Sequence, residues 1–302
     1  MKVFMQKEQF FMRRALSALA IGVALVAAGP AAAGSLKAAS APAPAIKATP
    51  PGEVARHKAI YDFDLVSVRS GAGVTDITGK MYYEQDDNCE AWTTDHRFQV
   101  EYQYPERPSV ENSSHYVAFE SKDAHQFYYS SEREENGRKV EQVRGSVNPN
   151  EDGTAKAAYS RPENLSYDLP KGYMLPTQHT NEIIRHARAD EHFFNAVMFD
   201  GTDADGPVTV NTFIGKQLTP AELKEIYAGK NEIDPTLLNG QAWRVRLAVF
   251  PVKEEKSMTS AYEMDLVLHD NGIVSWSLVD YHAFKIEQKI LALQKLPAKK
   301  CK

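Results

Sequence analysis

Cysteine is nearly absent: two residues, Cys89 and Cys301, serve a chain of 302. Two thiols that far apart are too few for a zinc cage and do not form a Cys-x-x-Cys redox motif. No glycine-rich loop joins a strand to a helix, so nucleotide binding has no cradle. There is no Gly-x-Ser-x-Gly elbow and no His-Glu-x-x-His run, which removes the commonest signatures of serine and zinc hydrolases. Long apolar runs are missing too. The longest, Ala15 to Ala28, falls short of the roughly 20 residues needed to cross a bilayer.

That short run has a purpose of its own. Arg13 and Arg14 precede it and Ala31-Ala32-Ala33 follows, giving the charged, apolar and small-residue parts of a secretory signal over residues 1–33. No cysteine follows the cleavage position, so the lipid anchor of a bacterial lipoprotein is not expected. Without this segment the chain keeps 31 basic and 39 acidic residues, a formal charge of −8. Such a surface repels nucleic acid and anionic headgroups. The expected product is soluble, exported to a periplasm, and neither nucleic-acid-binding nor membrane-spanning. In an oxidising space two cysteines are usually a disulfide. A bond between Cys89 and Cys301 would sew the far C-terminus to an early strand; an intermolecular bridge from the tail is the rival reading.

Residues 34–53 are small, proline-rich and poor in large apolar groups, and read as a flexible leader. A single folded domain is expected over 54–302. Period-two alternation then dominates, as at Phe98, Val100, Tyr102 and Tyr104, at Trp243, Val245, Leu247 and Val249, and at Tyr262, Met264, Leu266 and Leu268. Asn136-Gly137 and Asn271-Gly272 are hairpin turns. The rhythm changes at Pro176-Thr177, which opens a helix with Ile183, Ile184 and Ala187 on its apolar side. A second short helix is expected from Asp190 through Phe193, Phe194 and Val197, and a third at Thr219-Pro220-Ala221-Glu222. The segment Phe284–Leu296 fits either a strand or a brief helix. Roughly a dozen strands result.

Candidate chemistry is sparse. His179, Glu182 and His186 can share a helical face, but zinc would need further ligands, and capping or hydrogen bonding explains them more simply. Ser275, His269 and Asp270 do not assemble into a triad on sequence grounds. No catalytic residue, metal site or cofactor is expected. The plentiful aromatic residues suit a binding protein better, packing a curved sheet or lining a cavity for an apolar ligand. Trp92, Phe193, Phe194, Trp243 and Trp276 are the candidates for cavity or core. Phe193 and Phe194 would plug the space that a lipid would otherwise fill.

The order of several segments resembles one family. "HKAIYDFDLV", "GVTDITGKMYYEQDDNCEAWTTDHRF", "YSRPENLSYDLPKGYMLPTQHT", "VMFDGTDADG" and "YEMDLVLHDNGIVSWSLVDYHAFKI" before Cys301 are similar to the periplasmic DUF1849 family over nearly all of the exported chain. The resemblance implies a mainly β fold: an antiparallel β-spiral wrapped around a helix, half-closed and barrel-like, of the architecture seen in lipoprotein carriers. It implies that Cys89 and Cys301 are the family's disulfide pair. It also implies a nonenzymatic role in cell-envelope integrity and outer-membrane homeostasis, with a periplasmic TPR-repeat protein or other envelope protein as partner. A lipid, lipoprotein or hydrophobic peptide is the alternative ligand, and a periplasmic hydrolase the remote alternative.

Overall fold

A computed structural model describes residues 54–228, 230, 232–252, 259–297, 299 and 301. The signal and leader segments lie outside the described residues.

From His57 to Leu169 the chain runs up and down as eight strands: β1 (His57–Val68), β2 (Asp76–Asp87), β3 (Ala91–Gln103), β4 (Val110–Ser121), β5 (Phe127–Glu135), β6 (Arg138–Pro149), β7 (Ala155–Arg161) and β8 (Ser166–Leu169). Helix α1 (Pro176–Arg188) follows, then β9 (Phe193–Met198), β10 (Val208–Gln217), helix α2 (Pro220–Ile226) and the two-residue β11 (Glu232–Ile233). The chain closes with β12 (Ala242–Pro251), β13 (Tyr262–His269), β14 (Val274–Asp280) and β15 (Phe284–Lys295). All belong to one 15-stranded sheet, ordered β8-β7-β6-β5-β4-β3-β2-β1-β15-β14-β13-β12-β10-β9, with β11 beside β15.

Every neighbouring pair along that path is antiparallel, and β1 against β15 joins the two ends of the chain into one surface. The sheet's own ends, β8 and β9, almost meet. Met174, just past β8, donates its N–H to the Val197 carbonyl at 2.8 Å and accepts the Phe199 N–H at 3.0 Å. The result is the expected barrel-like antiparallel sheet around a helix, with the β9 edge bridged by Met174 opposite Met198.

One expectation is corrected, and one segment left open between strand and helix is a strand. The residues after Asp190 form β9, not a helix: six consecutive positions pair with β10, from Phe193 opposite Phe213 to Met198 opposite Val208. A run as short as "FFNAVM" has no periodicity strong enough to resist an available sheet edge. The undecided C-terminal segment is strand β15, paired on both sides by β1 and β14, with Phe284, Ile286 and Ile290 buried.

One apolar core fills the barrel, built from the inward residues of β1–β3, β10 and β12–β15 and from Ile183, Ile184 and Ala187 of α1. A second core lies under β4–β8 and is closed by the loop after β9. That loop, Phe199 to Gly206, is buried except at the half-buried Ala204 and Asp205, so its carbonyls need partners. Tyrosine hydroxyls supply them: Tyr116 donates to Asp200 O at 2.7 Å, Tyr159 to Asp203 O at 2.8 Å and Tyr167 to Ala204 O at 2.7 Å. Gly201 (φ +67°) is pressed against the Tyr129 ring, where any Cβ would stand 2.3 Å from the ring carbon Cγ.

Cys89 and Cys301 are bonded, with Cα atoms 5.6 Å apart across 212 residues of sequence. The bridge ties the tail to the β2–β3 turn. Around it Arg56 pairs with Asp86 at 2.6 Å, Lys122 with Asp87 at 2.7 Å, and Lys299 of the tail also reaches Asp86.

Candidate functional site

The start of α1 carries an unusual demand. Its N-cap position is Leu175, whose side chain cannot accept a hydrogen bond, so the first helical N–H groups look elsewhere. Glu120, on β4 and 4% exposed, answers: its carboxylate accepts the Thr177 N–H at 2.9 Å and the Gln178 N–H at 3.0 Å. Gln178 Oε1 accepts the Leu175 N–H at 3.0 Å. Burial pushes the Glu120 carboxyl up to about 7, against the pull of these N–H donors.

Beside Glu120, between α1 and the inner faces of the sheet, lies a cavity of about 170 Å³. Its two walls differ in chemistry. β1–β4 contribute His57, Gln85, Thr94, His96 and Glu120, while α1 adds His179. Across from them Leu247, Met264, Leu266 and Leu268 present hydrocarbon. Burial pushes the imidazoles of His57, His96 and His179 each down to about 4, so all three are neutral near pH 7. Among the described residues that line the cavity, Glu120 is the only carboxylic acid, and neither lysine nor arginine is among them.

The two histidine-containing arrangements weighed on sequence grounds resolve differently. His186 Nε2 lies 3.2 Å from Glu182 Oε1, and Arg185 holds the same oxygen at 2.7 Å. His179 instead faces Thr212 on β10, with Nε2 at 3.3 Å from Oγ1. The Phe194 ring stacks on His186 at 4.4 Å and tilts against His179 at 5.6 Å, so these residues are engaged with the sheet. His269 Nε2 and Ser275 Oγ are 3.0 Å apart across the β13–β14 hairpin, the distance of a base from a nucleophile. Both are 0% exposed, His269 Nδ1 has no hydrogen-bond partner, and Asp270 instead lies near Arg188. The pair is a hydrogen bond within the core.

The family described as EipB-like matches residues 48–297. A curated relative, the cell envelope integrity protein EipB of Brucella abortus (strain 2308), is 31% identical over 239 residues, spanning 78% of this chain and 82% of that protein. The chain belongs to the EipB-like family. A crystal structure of a beta-barrel-like DUF1849 protein from Brucella abortus matches it with a TM-score of 0.72 and 28% identity, over 82% of this chain and 100% of that one.

Within this EipB-like barrel the five aromatic candidates stand apart from the cavity. Trp243 is buried in the main core. Trp92 is buried beside the disulfide-bearing turn with the Lys122 ammonium 4.8 Å over its ring. Phe194 is partly buried against α1. One placement departs from the expectation of cavity or core: Phe193 is 50% exposed and pairs with Phe213, because β9 turns alternate residues outward. Trp276 is half-buried against a small core of Leu218, Leu223, Ala242 and Val267 and donates Nε1–H to Glu287 at 2.7 Å under the Arg244 guanidinium. Of the lining residues, His57, Gln85, Thr94, His96 and Glu120 escaped the sequence reading, although one signal was present: the alternation that turns Phe98, Val100 and Tyr102 inward extends back to His96.

Proposed function

We propose that this chain is an exported, soluble periplasmic protein that supports envelope integrity without catalysing a reaction, acting by binding an envelope protein on the outside of its barrel. The observation that carries this reading is the filling of the barrel. With α1 and the apolar core packed inside, the cavity beside Glu120 has about 170 Å³, below the roughly 300–1,000 Å³ of a pocket that encloses a drug-sized ligand. A whole acyl chain has no room there, which favours a closed scaffold over a lipid or lipoprotein carrier. The envelope role rests on kinship with the Brucella protein of that name, and the disulfide suits an oxidising compartment. A TPR-repeat protein of the same compartment is the partner implied by the family resemblance.

The test is intact mass of the protein purified from periplasm, with extracted small molecules analysed beside it. Signal-cleaved, oxidised and lipid-free protein is the expected result. A stoichiometric acyl species would replace the scaffold reading with the carrier reading, and uncleaved, reduced protein in the cytosol would overturn export. A hydrolytic activity of the pure folded protein that one point substitution removes would overturn the noncatalytic reading.

A further inference from the structure

Strand register puts an order on the polar wall of the interior cavity. Tyr83 on β2 pairs with His96 on β3, and His96 pairs with Tyr116 on β4, so one row of rings crosses three strands. Glu120 lies four residues beyond Tyr116 on the same strand face, and Phe127 on β5 stands directly opposite Glu120. All five line the cavity. Between Tyr116 and Glu120 the inward residue is Ala118, whose side chain is a single methyl group, so the space over it stays open.

The tyrosine hydroxyls are engaged, Tyr83 with Gln85 Oε1 at 2.8 Å and Tyr116 with Asp200 O at 2.7 Å. What Tyr83, Tyr116 and Phe127 have left for a ligand is their rings. Burial, and after it the Glu120 charge, pushes the Tyr83 phenol up, which puts that ring within electrostatic reach of the carboxylate.

This chemistry sorts ligands. An anion would face the Glu120 charge with neither lysine nor arginine among the described lining residues to offset it. Calcium or magnesium needs several oxygen ligands, more than one carboxylate supplies. A primary ammonium brings three N–H donors, each in need of an acceptor once buried. A quaternary ammonium brings none. Its charge is drawn to a carboxylate without directional contact and to aromatic faces, while its methyl groups suit the hydrocarbon of Leu266 and Leu268. Its bulk is limited to little more than that of benzene, which a dry cavity of roughly 150 Å³ is known to admit.

We propose that the interior cavity binds a small quaternary ammonium compound, its charged head held by Glu120 and the rings of Tyr83, Tyr116 and Phe127. The proposal goes beyond the scaffold reading and does not depend on which protein meets the outside of the barrel.

The test titrates choline into the oxidised, signal-cleaved protein by calorimetry and NMR, at a pH above the Glu120 value of about 7. The matched probes are 3,3-dimethylbutan-1-ol, the uncharged isostere of choline, and phosphocholine, the form a lipid headgroup takes. Choline should bind at one site about tenfold more tightly than the alcohol, with its N-methyl resonances moved upfield by the rings. Phosphocholine should bind more weakly than choline, its phosphate finding no cation in the lining. Glu120→Gln should remove most of the preference for choline while the alcohol still binds. Ala118→Leu, which fills the cavity from β4, should abolish binding of choline and alcohol alike, and it decides the matter if Glu120→Gln fails to fold. The proposal is overturned by no saturable choline binding, by equal binding of the alcohol or of phosphocholine, by a preference that survives Glu120→Gln, or by binding that survives Ala118→Leu. These readouts use purified protein, so they stand or fall separately from any envelope phenotype.

Discussion

Glu120 on β4 accepts the backbone N–H of Thr177, 57 residues further along the chain, at 2.9 Å and out of contact with bulk water. This contact ties the helix inside the barrel to the wall around it. Glu120→Leu would leave the Thr177 and Gln178 N–H groups without their acceptor, and a loss of about 1–3 kcal/mol is expected. Glu120→Gln keeps one acceptor oxygen but turns an NH2 toward the other donor, and should cost about 1 kcal/mol near neutral pH. Urea unfolding at pH 7 measures both; equal stability of Glu120→Leu and wild type would show that the helix start does not depend on this residue.

The two substitutions Glu120→Gln and His96→Phe should respond to pH in opposite directions. Burial raises the Glu120 carboxyl from 4.5 to about 7. Between those values the folded protein keeps a proton that the unfolded chain has released, so this group's stabilisation is complete below about pH 4.5 and is lost as pH rises through 7. Burial lowers the His96 imidazole from 6.5 to about 4. There the unfolded chain holds the extra proton, and the stabilisation, complete above pH 6.5, is lost as pH falls through 4. Each swing is about 3 kcal/mol. The penalty for Glu120→Gln should therefore shrink from pH 4 to 7.5, while that for His96→Phe should shrink from pH 7.5 to 4. Parallel stability-pH curves for the two variants and wild type would contradict both assignments.

These same residues mark where sequence reading reaches its limit. Strands were legible wherever alternation was backed by a turn, as at Asn136-Gly137, whose two positive φ angles of +49° and +71° fit the tight hairpin. The α1 start was legible from Pro176, but its cap is a side chain on another element, and no local pattern records that. The strand character of β9 comes from its pairing with β10, and that of β15 from β1 and β14 on either side, so neither is written in its own local pattern. The cavity's polar wall was hidden for a related reason: a histidine or glutamine on an alternating strand is ordinarily assigned to solvent, and only sheet closure turns His57 and Gln85 inward.

The crosslink between Cys89 and Cys301 should appear in nonreducing peptide maps of monomer. Loop-closure entropy over 212 residues sets its stabilisation at about 5 kcal/mol when the unfolded chain is structureless. Cys89 also has φ +81°, a backbone region that costs L residues about 1–2 kcal/mol. Two unbridged variants separate these effects. Cys89→Ala with Cys301→Ser loses the bond and keeps the strain, whereas Cys89→Gly with Cys301→Ser loses the bond and relieves it. Both should melt below wild type, with the glycine form the more stable of the two by up to about 1 kcal/mol once glycine's extra unfolded-state entropy is counted. Free thiols in freshly exported protein, or two variants as stable as wild type, would remove the bridge from the account.

Trp243 and Phe193 were candidates of equal standing in the sequence, and the barrel separates them by burial alone. Trp243 is 4% exposed within the main core, whereas Phe193 is 50% exposed, with the Phe213 ring 4.9 Å away between centroids. Truncating Trp243 removes a large buried surface and leaves a cavity that the packed sheet cannot collapse, so Trp243→Ala should cost about 3–5 kcal/mol. Phe193→Ala gives up a half-hydrated ring and one aromatic pair, and should cost about 1 kcal/mol or less. Thermal and urea unfolding of the two variants decide between this barrel and one in which β9 is a helix plugging the interior. In that alternative Phe193 would be buried and its truncation would cost as much as that of Trp243.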